Sequence, residues 1–138
     1  MKNIELFEDG FDLEFATNFC RNDASGAITT FLGTVRGSGA EGEVKNLFFE
    51  AYKPMAIKEM DKLIEEARMK WPINRVVFWH RLGEVGVGKD AVVVVVATPH
   101  REEGFKACQF LIDELKKSVP IWKKESFENG HSWVSAHP

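Results

Sequence analysis

Lys116-Lys117-Ser118-Val119-Pro120-Ile121-Trp122-Lys123-Lys124 puts four lysines within nine residues of a chain whose net charge is −3. A proline divides them, and Ile and Trp are interleaved with them. A charge run that serves only solvation has no need of a Trp in its middle. Amines held on rigid elements beside apolar surface suit a pocket for an anionic small molecule. An amine that is partly desolvated there becomes a better nucleophile or proton donor–acceptor. The plainer alternative is a set of snorkelling lysines whose stems lie along an amphipathic surface.

Geometry separates the four. At about 100° per residue of helix, Lys116 projects close to Ile112 and Phe105, at the edge of an apolar stripe. Lys117 falls away from that stripe, one turn after Asp113, and reads as a solvated surface residue. In a strand, neighbours point to opposite faces, so Lys123 shares a face with Ile121 and Glu125, and Lys124 goes with Trp122. One of that pair can face a given pocket, and the pattern alone leaves open which.

Other cations stand where strands end. His100-Arg101 follows a buried strand and opens a helix, where backbone N–H groups and an Arg together suit an anion. The alternative is that the pair caps the sheet edge or ion-pairs with Glu102 and Glu103. Gly33-Thr34-Val35-Arg36 delivers another fixed cation at a strand end, which on residue type alone reads equally as a solvent-facing Arg. Gly37-Ser38-Gly39-Ala40-Glu41-Gly42 matches GxGxxG, but an alternating strand and not a helix follows, so a hairpin loop is expected. His80-Arg81 precedes a Gly loop and is assigned a structural or interface role. His131 and His137 lack metal-ligand spacing, and Met55 and Met60 fit a core better than a cofactor box. No GxSxG, HExxH or Walker loop is present, which leaves hydrolase and NTPase readings without support.

The elements that must position these groups follow from periodicity. A short strand is expected over 4–7, a helix over 11–21, a β-branched strand over 26–35, a Gly-rich turn over 36–43 and a strand over 44–52. Pro54 suits the first turn of a helix that runs to Trp71. A strand over 76–80 leads into a loop marked by Gly83, Gly86 and Gly88. Ala91 to Thr98, with five consecutive valines, reads as a strand covered on both faces. The next helix reaches Ser118 with Phe105, Cys108, Leu111, Ile112 and Leu115 along one side. A hairpin over 121–127 and 132–136 turns at Asn129-Gly130.

The 138 residues fit one domain, 1–138, of α+β class. Mixed charge and a pI near 5.8 give no general basic footprint, so nucleic acid is not an expected partner. No apolar run reaches the length of a membrane span, and Met1-Lys2-Asn3-Ile4-Glu5 lacks the apolar core of a signal peptide. Cys20 and Cys108 are isolated, so neither a disulfide framework nor a zinc site is indicated, and a reducing cytoplasm is the default.

Five pieces then match one family in order and spacing. They are Phe31-Leu32-Gly33-Thr34-Val35-Arg36; Phe49-Glu50-Ala51-Tyr52 with Met55-Ala56; His80-Arg81-Leu82-Gly83; the valine strand ending in His100-Arg101; and Lys116 through Pro120-Ile121-Trp122-Lys123-Lys124-Glu125. Over nearly its whole length the chain resembles the large, catalytic subunit of molybdopterin synthase (MoaE). The resemblance implies an α/β hammerhead fold with a mostly antiparallel sheet. It also implies a homodimer within a heterotetramer that includes two copies of a small ubiquitin-like sulfur carrier. The carrier's Gly-Gly tail ends in a thiocarboxylate, enters the active site, and places two sulfurs on cyclic pyranopterin monophosphate to form the dithiolene of molybdopterin.

By the same resemblance the substrate site falls on Thr34, Val35, Arg36, His100, Arg101, Lys116, Lys123, Lys124 and Glu125, with Lys116 and Lys123 catalytic. No metal or other cofactor is implied, since the carrier is the sulfur donor. Family members often continue past the Trp133 region with a further basic segment, whereas this sequence stops at Pro138; this departure puts any substrate or carrier contact made by that extension in doubt and leaves the two-lysine core unaffected. The competing function is a non-catalytic module that binds a phosphorylated metabolite or a partner protein through the same cations.

Overall fold

The computed structural model describes residues 1–39, 42–127 and 130–135. Ala40, Glu41, Asn129, Ala136 and His137, on which parts of the hairpin and histidine readings rest, lie outside the described residues. The elements run β1 (Lys2–Phe7), α1 (Leu13–Cys20), β2 (Ala27–Thr34), β3 (Ser38–Gly39), β4 (Gly42–Ala51), α2 (Lys53–Lys70), β5 (Arg75–Arg81), β6 (Gly83–Gly86), β7 (Asp90–Thr98), α3 (Arg101–Ser118), β8 (Ile121–Phe127) and β9 (Gly130–Ser135). The fold is mixed α+β.

Two sheets share the work. The first has the order β1-β5-β7-β2, and the second is built on β3-β4-β8-β9 with β6 also paired to β4. All pairings are antiparallel except β1 with β5. The valine strand is central to the first sheet, bonded to β5 on one side and β2 on the other. Its alternate residues feed two cores, as expected of a strand covered on both faces. Val92, Val94 and Val96 pack with α2 and α3, while Val93 and Val95 pack with α1 and its aromatic residues.

The helix ends obey local rules. Asp12 accepts from the Phe15 backbone N–H at 3.0 Å and caps α1. Pro54 lies in the first turn of α2, where its missing N–H costs nothing. In α3, Gly104, Ala107, Cys108, Leu111, Ile112 and Leu115 are buried, but Phe105 is 61% exposed. That departs from the single apolar stripe expected there.

The expected loop over Gly83 to Gly88 contains a strand. Gly83 has φ +82°, a region open to glycine at little cost, and the chain turns there from β5 of the first sheet into β6 of the second. Glycine-rich composition hid this element. Gly83 pairs with Phe49 and Gly86 with Asn46. Likewise the Gly-rich turn after Arg36 carries the two-residue strand β3, with Ser38 opposite Glu43. Among the described residues, no helix is long and apolar enough to cross a membrane.

Candidate active site

A cavity of about 430 Å³ opens where the two sheets and the end of α3 meet. Its lining comes from six elements or their flanks. The end of β2 and the residues after it give Phe31, Gly33, Thr34, Val35 and Arg36; β4 gives Leu47 and Phe49; β5 gives His80; β7 gives Ala91 and Val92; α3 gives Ile112 and Lys116; and β8 gives Lys123. Three cations therefore converge over a largely apolar floor. Such an arrangement attracts an anion by charge and holds a flat or apolar body by contact.

Each lysine takes the place its periodicity allows. Lys116 lies one helical turn from Ile112, and both line the cavity. Lys117 turns to solvent and pairs with Glu114 at 3.2 Å, not with Asp113. On β8, Lys123 stands opposite Phe49 in register and faces inward with buried Ile121 and Glu125. Trp122, 48% exposed, faces out. Lys124 goes with it, its Nζ 5.7 Å from the centre of the Phe48 ring. The lysine pair that strand geometry left open is thus divided, with Lys123 in the cavity and Lys124 on the outer face.

Electrostatics make Lys123 unusual. Burial lowers the pKa of its ammonium below the ordinary lysine value; the Glu125 carboxylate opposes this, while the positive charges of Arg36 and Lys116 add to it. Desolvation penalises the charged form and nearby cations repel it. Lys123 therefore gives up a proton more readily than a surface lysine. Glu125 does not line the cavity but sits buried behind it, two residues along the same strand face.

His100 and Arg101 are elsewhere. They begin α3, whereas Lys116 lies near its end, about 22 Å away along the helix axis at 1.5 Å per residue. Both are exposed. The Thr98 hydroxyl donates to the His100 carbonyl at 2.7 Å, and Glu102 is taken by Lys106 at 3.2 Å. One chain does not bring this pair to the cavity.

His80 is the lining residue that residue type left as structural. Strand parity carries the signal, since Val76 and Phe78 face the main core and His80 is next in that alternation. It is fully buried, and its Nδ1 lies 2.7 Å from the Arg81 carbonyl oxygen. That oxygen only accepts, so Nδ1 carries the proton. Burial lowers the His80 pKa to about 4, which keeps the imidazole neutral near pH 7. The edge of Phe49 packs against it with ring centres 4.9 Å apart. Among the described residues no group of three or more His, Cys, Asp or Glu side chains is placed to hold a metal ion.

By class, then, this is a mixed α+β domain with a cavity between its two sheets and the end of α3, lined by Arg36, Lys116 and Lys123. The family model of the MoaE protein matches residues 6–118. The molybdopterin synthase catalytic subunit of Pyrococcus abyssi is 41% identical over 126 residues, covering 91% of this chain and 85% of that protein. The subunit of the same name from Arabidopsis thaliana is 42% identical over 132 residues, covering 94% of this chain and 67% of that one. The chain spans 37% of the length of the Drosophila persimilis relative. The crystal structure of molybdopterin synthase from Staphylococcus aureus superposes with a TM-score of 0.92 at 34% identity, covering 97% of this chain and 98% of that one. A protein–protein complex of subunits 1 and 2 of molybdopterin-converting factor from Helicobacter pylori shares the fold, with a TM-score of 0.80 at 20% identity over 98% of this chain and 93% of that one. The chain belongs to the MoaE family.

Proposed function

We propose that this chain is a sulfurtransferase of molybdenum cofactor biosynthesis, the catalytic subunit of a molybdopterin synthase. It takes sulfur from the thiocarboxylated Gly-Gly terminus of a small carrier and places it on cyclic pyranopterin monophosphate. Each round leaves one sulfur on the substrate and a carboxylate on the carrier, with water supplying the oxygen. The observation that carries this reading is the convergence of Arg36, Lys116 and Lys123 in one apolar-floored cavity.

Both reactants are anions, and fixed cations offset their repulsion without reorganising during the reaction. Arg36, with Thr34 and Val35, holds the phosphorylated substrate. Lys116 and Lys123 neutralise the carrier terminus, orient its sulfur and pass protons, which the lowered pKa of Lys123 favours. His100 and Arg101 join this site only from a second copy, given their distance from Lys116, so the working unit is a homodimer carrying two small carriers. Lys124 and Glu125 act from the outer face and from behind Lys123 without lining the cavity. The relatives' shared name and the two-subunit complex of the Helicobacter protein support a small-subunit partner.

The test is a reconstituted reaction of thiocarboxylated carrier with the pterin precursor, followed as dithiolene product. Lys116→Ala and Lys123→Ala are each expected to lose about 100-fold or more in rate, the scale of removing a charge-stabilising or proton-transferring group. Near wild-type turnover by both folded variants sinks the assignment. Ligand binding with no product from the wild-type chain and thiocarboxylated carrier identifies a binding module instead.

A further inference from the structure

The two amines of the cavity differ in kind. Lys116 is exposed in the last turn of α3, where a fixed cation suits the end of the helix dipole. Lys123 is half-buried, and its ammonium is disfavoured by burial first and then by the charges of Arg36 and Lys116. Among the described residues no carboxylate lines the cavity. Glu125 favours the ammonium from behind, on the same strand face, and His80 is neutral near pH 7. An amine that sheds its proton this readily attacks carbonyl carbon. Proton transfer to a sulfur donor leaves that capacity unused.

The surroundings select the carbonyl compound. Arg36 offers a planar fork that takes a phosphate through two N–H donors, and Lys116 adds a point charge. Phe31, Leu47, Phe49 and Val92 supply apolar wall against which a flat ring rests. The volume of about 430 Å³ is that of a small-molecule site.

The geometry points to Lys123 as a covalent site for a phosphorylated aromatic aldehyde, with the phosphate on Arg36 and Lys116 and the aldehyde carbon at the Lys123 amine. The ammonium first gives one proton to solvent. The Nζ lone pair then bonds the aldehyde carbon to form a carbinolamine, and the aldehyde oxygen leaves as water with the two remaining amine hydrogens. An imine is left, with no change of oxidation state, and the same water reverses the step. While the imine stands, Lys123 has no free amine and the ring fills the cavity, so the aldehyde acts as a reversible inhibitor. That last consequence rests on the sulfur-transfer reading above, whereas the imine rests on the cavity alone.

The test is to incubate the full chain with equimolar pyridoxal 5′-phosphate, reduce with borohydride and map the label by peptide mass spectrometry. The label is expected on Lys123. Lys123→Arg, which keeps the charge and forms no imine, is expected to lose it. Arg36→Ala, and pyridoxal without its phosphate on the wild-type chain, are each expected to label about ten-fold less, the scale of one lost charge-assisted hydrogen bond. Pyridoxamine 5′-phosphate, which has the ring and phosphate but no aldehyde, is expected to compete. Label centred on Lys116, label spread over surface lysines, or equal labelling by pyridoxal, in protein with an unchanged circular dichroism spectrum, overturns the site. Dithiolene formation by a chain that pyridoxal 5′-phosphate neither labels at Lys123 nor slows overturns the aldehyde site and leaves sulfur transfer standing. Label on Lys123 of a chain that, unlabelled, yields no dithiolene upholds the aldehyde site and sinks sulfur transfer.

Discussion

Lys123 holds its ammonium partly out of water beside Arg36 and Lys116, with Glu125 behind it on the same strand face. Burial lowers its pKa most, the two cations lower it further, and Glu125 raises it. If turnover needs the protonated amine, activity falls as pH rises through that pKa, which lies below the ordinary lysine value. Glu125→Gln removes the one raising influence, so the alkaline limb of the pH–rate profile is expected to move to lower pH, with the acid limb in place. Arg36→Ala is expected to move the same limb the other way. A limb that stays fixed in both variants shows that it belongs to another group. Much of this residue-level picture was legible in the sequence: helical angle separated Lys116 from Lys117, and strand parity set Lys123 against Lys124. The depth of Lys123 was not legible, because it depends on Phe49 and Arg36, which arrive from distant segments.

Element order was readable where periodicity was strong. The helices over 53–70 and 101–118 and the valine strand stand within a few residues of their expected bounds. Strand β6 was lost in a glycine-rich stretch because pairing to β4, not local propensity, makes it a strand. His100 and Arg101 were grouped with the lysines by resemblance, although α3 separates them by most of its own length. That helix depends on Gly104 for its seating. A Cβ there meets the Thr29 hydroxyl at 2.5 Å and the Thr98 hydroxyl at 3.0 Å, so an added methyl must lift α3 from the sheet or turn both threonines. Gly104→Ala is expected to lose about 1–3 kcal/mol by overpacking, read as a drop of roughly 3–10 °C in Tm. Gly10→Ala, where an added carbon meets nothing within 4 Å, serves as the control and is expected to leave Tm nearly unchanged.

On the scale of the whole molecule, the cavity exists because one sheet hands its chain to the other. Strand β5 carries His80 to the junction, Gly83 turns the backbone, and β6 continues beside β4 in the second sheet. His80 therefore sits at the shared wall of both sheets, fully buried and against Phe49. Its folded pKa is about 4, below the ordinary histidine value of 6.5. An unfolded chain then binds a proton at His80 between those values while the folded chain does not. Stability attributable to this group is complete above pH 6.5 and declines as pH falls towards 4, by about 3 kcal/mol over the window. The wild-type Tm is expected to fall across that range, and His80→Gln, which has no proton to take up there, is expected to flatten the fall even if its Tm at pH 7 is lower. Equal slopes for the two proteins show that acid sensitivity arises from carboxylates elsewhere. A flatter slope in the variant shows that the junction of the two sheets, and the cavity built upon it, is held by an imidazole that must stay neutral.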